Sequence, residues 1–132
     1  MSRFADTSYF LALLIPNDEN HAVAVKLAAE WRGALLTTDF VVIEVGNHLS
    51  PQRSRGVFAR FFRAIAQEPR ITVVPSSRQW LDRRLTLYES RPDKNWSLTD
   101  CISFEMMREQ HIVEALTADH HFAQAGFNVL MK

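Results

Sequence analysis

Leu35-Leu-Thr-Thr-Asp-Phe-Val-Val-Ile-Glu-Val-Gly-Asn47 is the stretch on which the fold turns. Leu35–Thr38 reads as a short buried strand. Thr38 or Asp39 then caps a helix whose apolar side carries Val42, Ile43, Val45 and Leu49. A strand that passes directly into a helix is half of a βαβ unit, and the same alternation runs outward in both directions. Upstream, Arg3–Asp6 is a brief strand followed by the apolar run Ser8–Ile15. Pro16-Asn17-Asp18 breaks that run, and a helical pattern from His21 to Trp31 ends at Gly33. Downstream, Arg55–Ala66 is helical with Val57, Phe58, Phe61, Phe62 and Ile65 on its stripe. Ile71–Val74 is a β-branched strand between Pro69 and Pro75. Gln79–Tyr88 is expected to be helical, with Trp80, Leu81, Leu85 and Tyr88 inward and the arginines outward. Ser97 opens another helix, Ala115–Thr117 is a strand, and Phe127–Met131 is expected to be the last. Repeated strand–helix alternation implies a parallel sheet covered on both faces, so the fold class is α/β.

At 132 residues the chain is expected to form one domain, residues 1–132, with no linker or repeat. Hydrophobic residues at 47% and charged residues at 23% exclude disordered, collagenous and coiled-coil chains. The longest apolar run, Tyr9–Ile15, is far short of the ~20 residues that span a bilayer. Asp6 before it and Asp18 and Glu19 after it argue against a secretory signal. The single cysteine, Cys101, rules out an intrachain disulfide, so a reducing cytoplasm is the expected setting.

Net charge is zero but unevenly spread. Pro51–Lys94 carries ten basic and four acidic residues, and nine of the ten are arginine, which forks onto phosphates. Arg53 and Arg55 open this segment and are candidates for guiding a polyanion, together with Arg60 and Arg63; two solvated helices would explain the same pattern.

In an open parallel sheet, ligands bind outside the carboxyl ends of the strands. Asp6 follows the first strand, and Glu44 lies one and a half turns into the helix after the second. Asp119 follows Ala115–Thr117, and Asp100 falls in the first turn of the helix before that strand. Four carboxylates at one edge repel one another at low dielectric and need compensation. Mg²⁺ or Mn²⁺, hard cations with oxygen ligands, would supply it, and a pair of such ions ~3.5–4 Å apart stabilises both the attacking and the leaving oxygen of a phosphodiester. Taken singly, each acid has a plainer reading: a strand end for Asp6, a helix N-terminus for Asp100, a solvated face for Glu44.

Three blocks, FADTSYFLALL, TTDFVVIEVGN and WSLTDCISF…EALTADHHFAQAGF, resemble the PIN domain and, more narrowly, the VapC-type toxin ribonucleases of bacterial type II toxin–antitoxin systems. The resemblance spans nearly the whole chain, although Pro51–Asp93 carries no motif. It implies an α/β/α sandwich with a parallel sheet of four or five strands. It also implies Mg²⁺- or Mn²⁺-dependent endoribonuclease activity, with Asp6, Glu44, Asp100 and Asp119 as both catalytic and metal-holding acids. Thr117 matches the hydroxyl-bearing residue before the last aspartate. A homodimer and a small antitoxin that blocks the acidic pocket are implied as partners.

Other candidates carry less. Ser8 is expected to cap the first helix in preference to holding substrate. Asp39 and Glu105 each lie five residues from a quartet acid and point elsewhere, and Asp39 is expected to be an N-cap. His120 and His121 are adjacent, poor spacing for two zinc ligands, and stand beside Asp119, where a phosphate contact is open to them. Cys101 lacks a nucleophile's partners and reads as packing. A phospho-acceptor receiver needs an acidic pair after its first strand, and a haloacid-dehalogenase-like phosphatase needs Asp-x-Asp; neither is present. The alternative that remains is a non-catalytic PIN-like module that binds RNA or protein.

Overall fold

The computed structural model describes residues 1–131. Five strands, β1 (Ser2–Ala5), β2 (Ala34–Thr38), β3 (Ile71–Val74), β4 (Glu114–Leu116) and β5 (Asn128–Val129), form one sheet in the order β3-β2-β1-β4-β5. All neighbours are parallel, with Phe4 opposite Leu36 and Ala5 opposite Leu116. On the outer strands Thr38 is opposite Val74 and Ala115 opposite Val129. Parallel strands need crossovers. These are α1 (Thr7–Leu14) and α2 (His21–Glu30), then α3 (Asp39–His48) and α4 (Arg55–Gln67). Next come α5 (Arg78–Ser90) and α6 (Leu98–Glu109), and finally α7 (His120–Gln124). A short 3₁₀ turn, Gln52–Ser54, leads into α4.

The chain builds outward from β1 to β3, then crosses back to β4 on the other side of β1. Right-handed crossovers therefore put α1–α4 on one face and α5–α7 on the other, which agrees with the helices found in contact: α1 on α2 and α3, α5 on α6, α6 on α7. The expected α/β class with a parallel sheet flanked by helices is what the structure has. Phe4 and Ala5 of the central strand are fully buried. An aromatic stack of Trp96, Phe104 and Phe122 meets edge to face beneath α6 and α7, with centroids 5.0 and 4.9 Å apart. The point where strand order reverses lies between β1 and β4, and the carboxyl edge there is where parallel sheets of this kind place their ligand crevice. No helix among the described residues is long and apolar enough to cross a membrane.

Several expectations need correction. Helix α5 is turned by one residue from the expected stripe: Arg84 is buried, whereas Leu85 and Tyr88 are close to half exposed. Residues 80, 84 and 87 share one face and 81, 85 and 88 the next, so periodicity alone does not choose between them. Arg84 wins because its guanidinium lies 4.0 Å over the Trp80 ring and its Nη2 pairs with Glu109 Oε2 at 2.7 Å. Paired and stacked in this way the charge can be buried, although its Nε has no partner. Ile43 and Phe62, expected on apolar faces, are more than half exposed. The last strand is only Asn128–Val129. Asp39 does not cap α3; Thr38 does, accepting from Val41 N, while Asp39 accepts from Ser76 N at 2.9 Å.

Candidate active site

Each candidate acid is held by the element that carries it. Asp6 leaves β1 in extended conformation and stands at the N-cap of α1, with no capping hydrogen bond from its side chain. Its backbone N–H donates to Leu116 O at 3.1 Å, which ties the ends of β1 and β4 together past the last ladder pair. Thr37, buried at the end of β2, donates to Ala5 O at 2.8 Å and fixes the same corner from the other side.

The Asp6 carboxylate is buried and accepts from Thr117 Oγ1 at 2.8 Å. Thr117 Oγ1 in turn accepts from Asp119 N at 3.0 Å and lies 3.0 Å from Ser8 Oγ. A hydroxyl has one hydrogen and two lone pairs. With its hydrogen on Asp6, Thr117 takes the Ser8 and Asp119 hydrogens on those lone pairs. Ser8 Oγ then accepts from Ala118 N at 3.0 Å. The relay Ser8–Thr117–Asp6 therefore has a donor and an acceptor assigned at every hydroxyl. Ser8 works in this relay and not as the expected helix cap.

Glu44 stands half-buried on α3 and accepts from Thr7 Oγ1. Thr7 is the first residue of α1, so this short hydrogen bond pins α1 to α3 at the crevice. Asp100 enters from α6 through a reciprocal capping box: its N–H donates to Ser97 Oγ at 3.0 Å, and its Oδ2 accepts from Ser97 N at 3.1 Å. The plainer reading of Asp100 as a helix-start residue is thus true as well, and it leaves Oδ1 without a hydrogen bond among the described residues. Asp119 caps α7 by accepting from His121 N at 2.9 Å.

Burial dominates the electrostatics. Loss of hydration raises the Asp6 pKa from 3.8 to about 7; the Thr117 and Thr7 hydrogen bonds oppose this, and the charges of Asp100 and Glu44 add to it. Asp100 is also raised, first by burial and then by Asp119, against the pull of Ser97 and His121. These mutual influences place Asp6 within electrostatic reach of Asp100 and Glu44, and Asp100 within reach of Asp119. Neither Asp6 nor Asp100 has an Arg or Lys partner among the described residues, and the donors they offer are oxygens. That donor set suits a hard divalent cation.

The role of Thr7 and the contact of His121 with Asp100 escaped the sequence reading. Thr7 orients Glu44, and the polar Asp6-Thr7-Ser8 run inside an apolar stretch is the signal that marks it. His121 Nδ1 lies 3.2 Å from Asp100 Oδ2 and 3.3 Å from Asp119 Oδ1, bridging two of the acids. His120 is exposed, with Nδ1 3.8 Å from Asp119 Oδ1. Despite their adjacency, both rings approach Asp119, because α7 is short and both lie in its first turn; ligand atoms of Asp119, His120 and His121 fall within 4.8 Å of one another. Arg53, in the 3₁₀ turn, and Arg55, opening α4, are exposed and make no ion pair among the described residues. The structure does not bring them against the acids. Cys101 is buried with its thiol pushed up to about 11, first by loss of hydration, and is packing.

The structure superposes on the crystal structure of Mycobacterium tuberculosis VapC20, a sarcin-ricin loop cleaving toxin, with a TM-score of 0.89 and 23% identity over 100% of both chains. It also superposes on VapBC2 from Rickettsia felis, solved bound to a DNA fragment from its promoter. Here the TM-score is 0.66 and the identity 11%, over 98% of this chain and 96% of that one. At such identities the likeness is one of fold. No curated protein matches significantly in sequence. The family model of the PIN domain matches residues 3–128, and the chain belongs to the PIN domain family.

Proposed function

We propose that the protein is a metal-dependent endoribonuclease, an RNA-cleaving hydrolase that serves as the toxin of a VapC-type toxin–antitoxin pair. The observation that carries this reading is a pair of buried carboxylates, Asp6 and Asp100, neither paired to an Arg or Lys among the described residues and both with pKa raised by burial, at the switch point of a parallel sheet. Membership of the PIN family and the fold shared with the M. tuberculosis toxin support it. Asp6, Glu44, Asp100 and Asp119 would hold Mg²⁺ or Mn²⁺. Bound there, a divalent cation supplies Lewis acidity that makes water a nucleophile at neutral pH and offsets charge on the phosphodiester oxygens.

The chain's own residues do the positioning. Thr117 orients the Asp6 carboxylate through Oδ2, with Ser8 fixing the Thr117 rotor. Thr7 holds Glu44, and the Ser97 box with His121 holds Asp100. Outer partners of this type commonly govern metal affinity or activity by ~10–100-fold. Arg53 and Arg55 lie beyond α3, where they would attract an RNA backbone through long-range charge. A second copy of the chain would cover the exposed Ile43 and Phe62, and a small antitoxin would close the acidic crevice. A reducing cytoplasm suits the lone buried thiol.

The test is cleavage of a labelled structured RNA by purified protein with Mg²⁺, Mn²⁺ or EDTA. The reading expects cutting with metal and none with EDTA. A folded protein that cuts neither a panel of RNAs nor a matched DNA contradicts it and leaves the non-catalytic binding module.

A further inference from the structure

Helix α5 ends at Ser90, and the loop Arg91–Asn95 leads to the Ser97 cap of α6. Between them opens a cleft of about 590 Å³, walled by Tyr88, Arg91, Lys94, Asn95, Trp96 and Ser97. This volume is within the range of small-ligand sites. One of its lining residues, Ser97, is also the residue whose hydroxyl and N–H hold Asp100, which links the cleft to the candidate catalytic edge.

We infer that this cleft is a nucleotide subsite for a single-stranded segment of the RNA substrate, with Tyr88 stacking on a base and Lys94 contacting a phosphate. The inference rests on the nuclease reading above and adds substrate-binding residues to it. Tyr88 is 47% exposed and stacks on no other aromatic ring among the described residues, although a tyrosine on a helix of this kind would ordinarily pack inward. An open aromatic face takes an unpaired base of any identity.

The cations of the cleft are unequal. Arg91 is committed: its Nε and Nη2 each lie 3.0 Å from an oxygen of Asp93, and its guanidinium lies 5.1 Å from the Trp96 ring. Trp96 is itself fixed by its Nε1 bond to Gln124 at 3.0 Å and by its edge contact with Phe104. That leaves Lys94, half-buried and near Asp93 but without an ion pair among the described residues, as the charge to meet a phosphate. Glu89 also lines the cleft. A carboxylate there repels phosphate but accepts from the exocyclic amine of a base, so phosphate belongs at the Lys94 end and the base at the Tyr88–Glu89 end.

The experiment follows binding and cutting separately. A fluorescein-labelled unstructured oligoribonucleotide is titrated by anisotropy in EDTA against wild type, Tyr88→Ala, Tyr88→Phe and Lys94→Gln. The same proteins are then assayed for cleavage with Mn²⁺ beside Asp100→Asn. Tyr88→Ala should lose about tenfold in affinity and in kcat/KM, with kcat little changed, and Tyr88→Phe should retain wild-type values, since stacking needs the ring alone. Lys94→Gln should lower the log–log salt slope of binding by about 0.7, one single-strand phosphate contact. Wild-type affinity and salt slope in all three variants overturn the subsite, and the nuclease reading survives if Asp100→Asn is inactive. If Asp100→Asn cuts like wild type, the nuclease reading fails, and the anisotropy still decides the cleft on its own. Normal RNA binding by variants that have lost a protein partner also overturns the inference, assigning the cleft to protein contact.

Discussion

The crevice between β1 and β4 and the arginine-rich arm formed by α5 show two opposite ways of placing charge. In the crevice, buried carboxylates sit without cations and are steadied only by hydroxyls, backbone N–H groups and a histidine. In the arm, charges meet opposite charges: at the surface Arg78 pairs with Asp82 at 3.5 Å and Arg83 with Glu109 at 3.7 Å, and the buried Arg84 reaches the same Glu109 at 2.7 Å. The first arrangement is costly for the metal-free protein and makes sense as a ligand site. The second is cheap, and most of it contributes little to stability. Charge density alone does not mark function; uncompensated burial does.

The contrast breaks most sharply at Asp100. Asp100→Asn should reduce RNA cleavage about a thousandfold or more, beyond the ~10–100-fold typical of an outer partner, with an unchanged circular dichroism spectrum. Stability should respond in the other direction at Asp6. A carboxyl whose folded pKa is about 7 and whose reference value is 3.8 binds more protons folded than unfolded between those values, so its contribution to stability falls as pH rises through that window. Metal-free wild type should therefore lose roughly 2–4 kcal/mol relative to Asp6→Asn between pH 4 and pH 7.5, measured by denaturant unfolding. A constant difference across pH would remove the claim that Asp6 is uncompensated.

Thr117→Val, nearly isosteric, should lower kcat/KM about 10–100-fold by releasing Asp6 and leaving Ser8 and Asp119 N without their acceptor; Thr117→Ser should recover most of it. In the arm, Arg84→Met should cost about 1–2 kcal/mol, because it removes one charged hydrogen bond and the stacking over Trp80 while Glu109 keeps Arg83. Its Nε already lacks a partner, which limits the loss. Arg78→Ala, at an exposed pair, should stay within about 0.5 kcal/mol of wild type by thermal unfolding.

The crevice was more legible in the sequence than the arm, for a physical reason. Carboxylates at strand ends are positioned by the backbone topology of a parallel sheet, which strand–helix alternation specifies. Asp6, Glu44, Asp100 and Asp119 could therefore be nominated before any contact was known. The rotation of α5 depends on which of two neighbouring stripes packs on α6, and the deciding contact, Arg84 with Glu109, joins residues 25 apart in sequence. The same limit hid His121. Its link to Asp119 is local, two residues long, but its approach to Asp100 needs α6 and α7 to meet over the Trp96–Phe104–Phe122 stack. Ser8 was misread because a hydroxyl at a helix start ordinarily caps, and only the closeness of β4 offers it Thr117.

Divalent-cation binding by Asp6, Glu44, Asp100 and Asp119 is read out by thermal unfolding with increasing Mn²⁺. Binding to the folded state alone stabilises by about 2.7 kcal/mol at a hundred times the dissociation constant. The melting temperature of wild type should climb steadily with Mn²⁺, that of Asp100→Asn should climb far less, and EDTA should reverse the gain. Equal shifts in the two proteins, or no shift in wild type, would contradict the account.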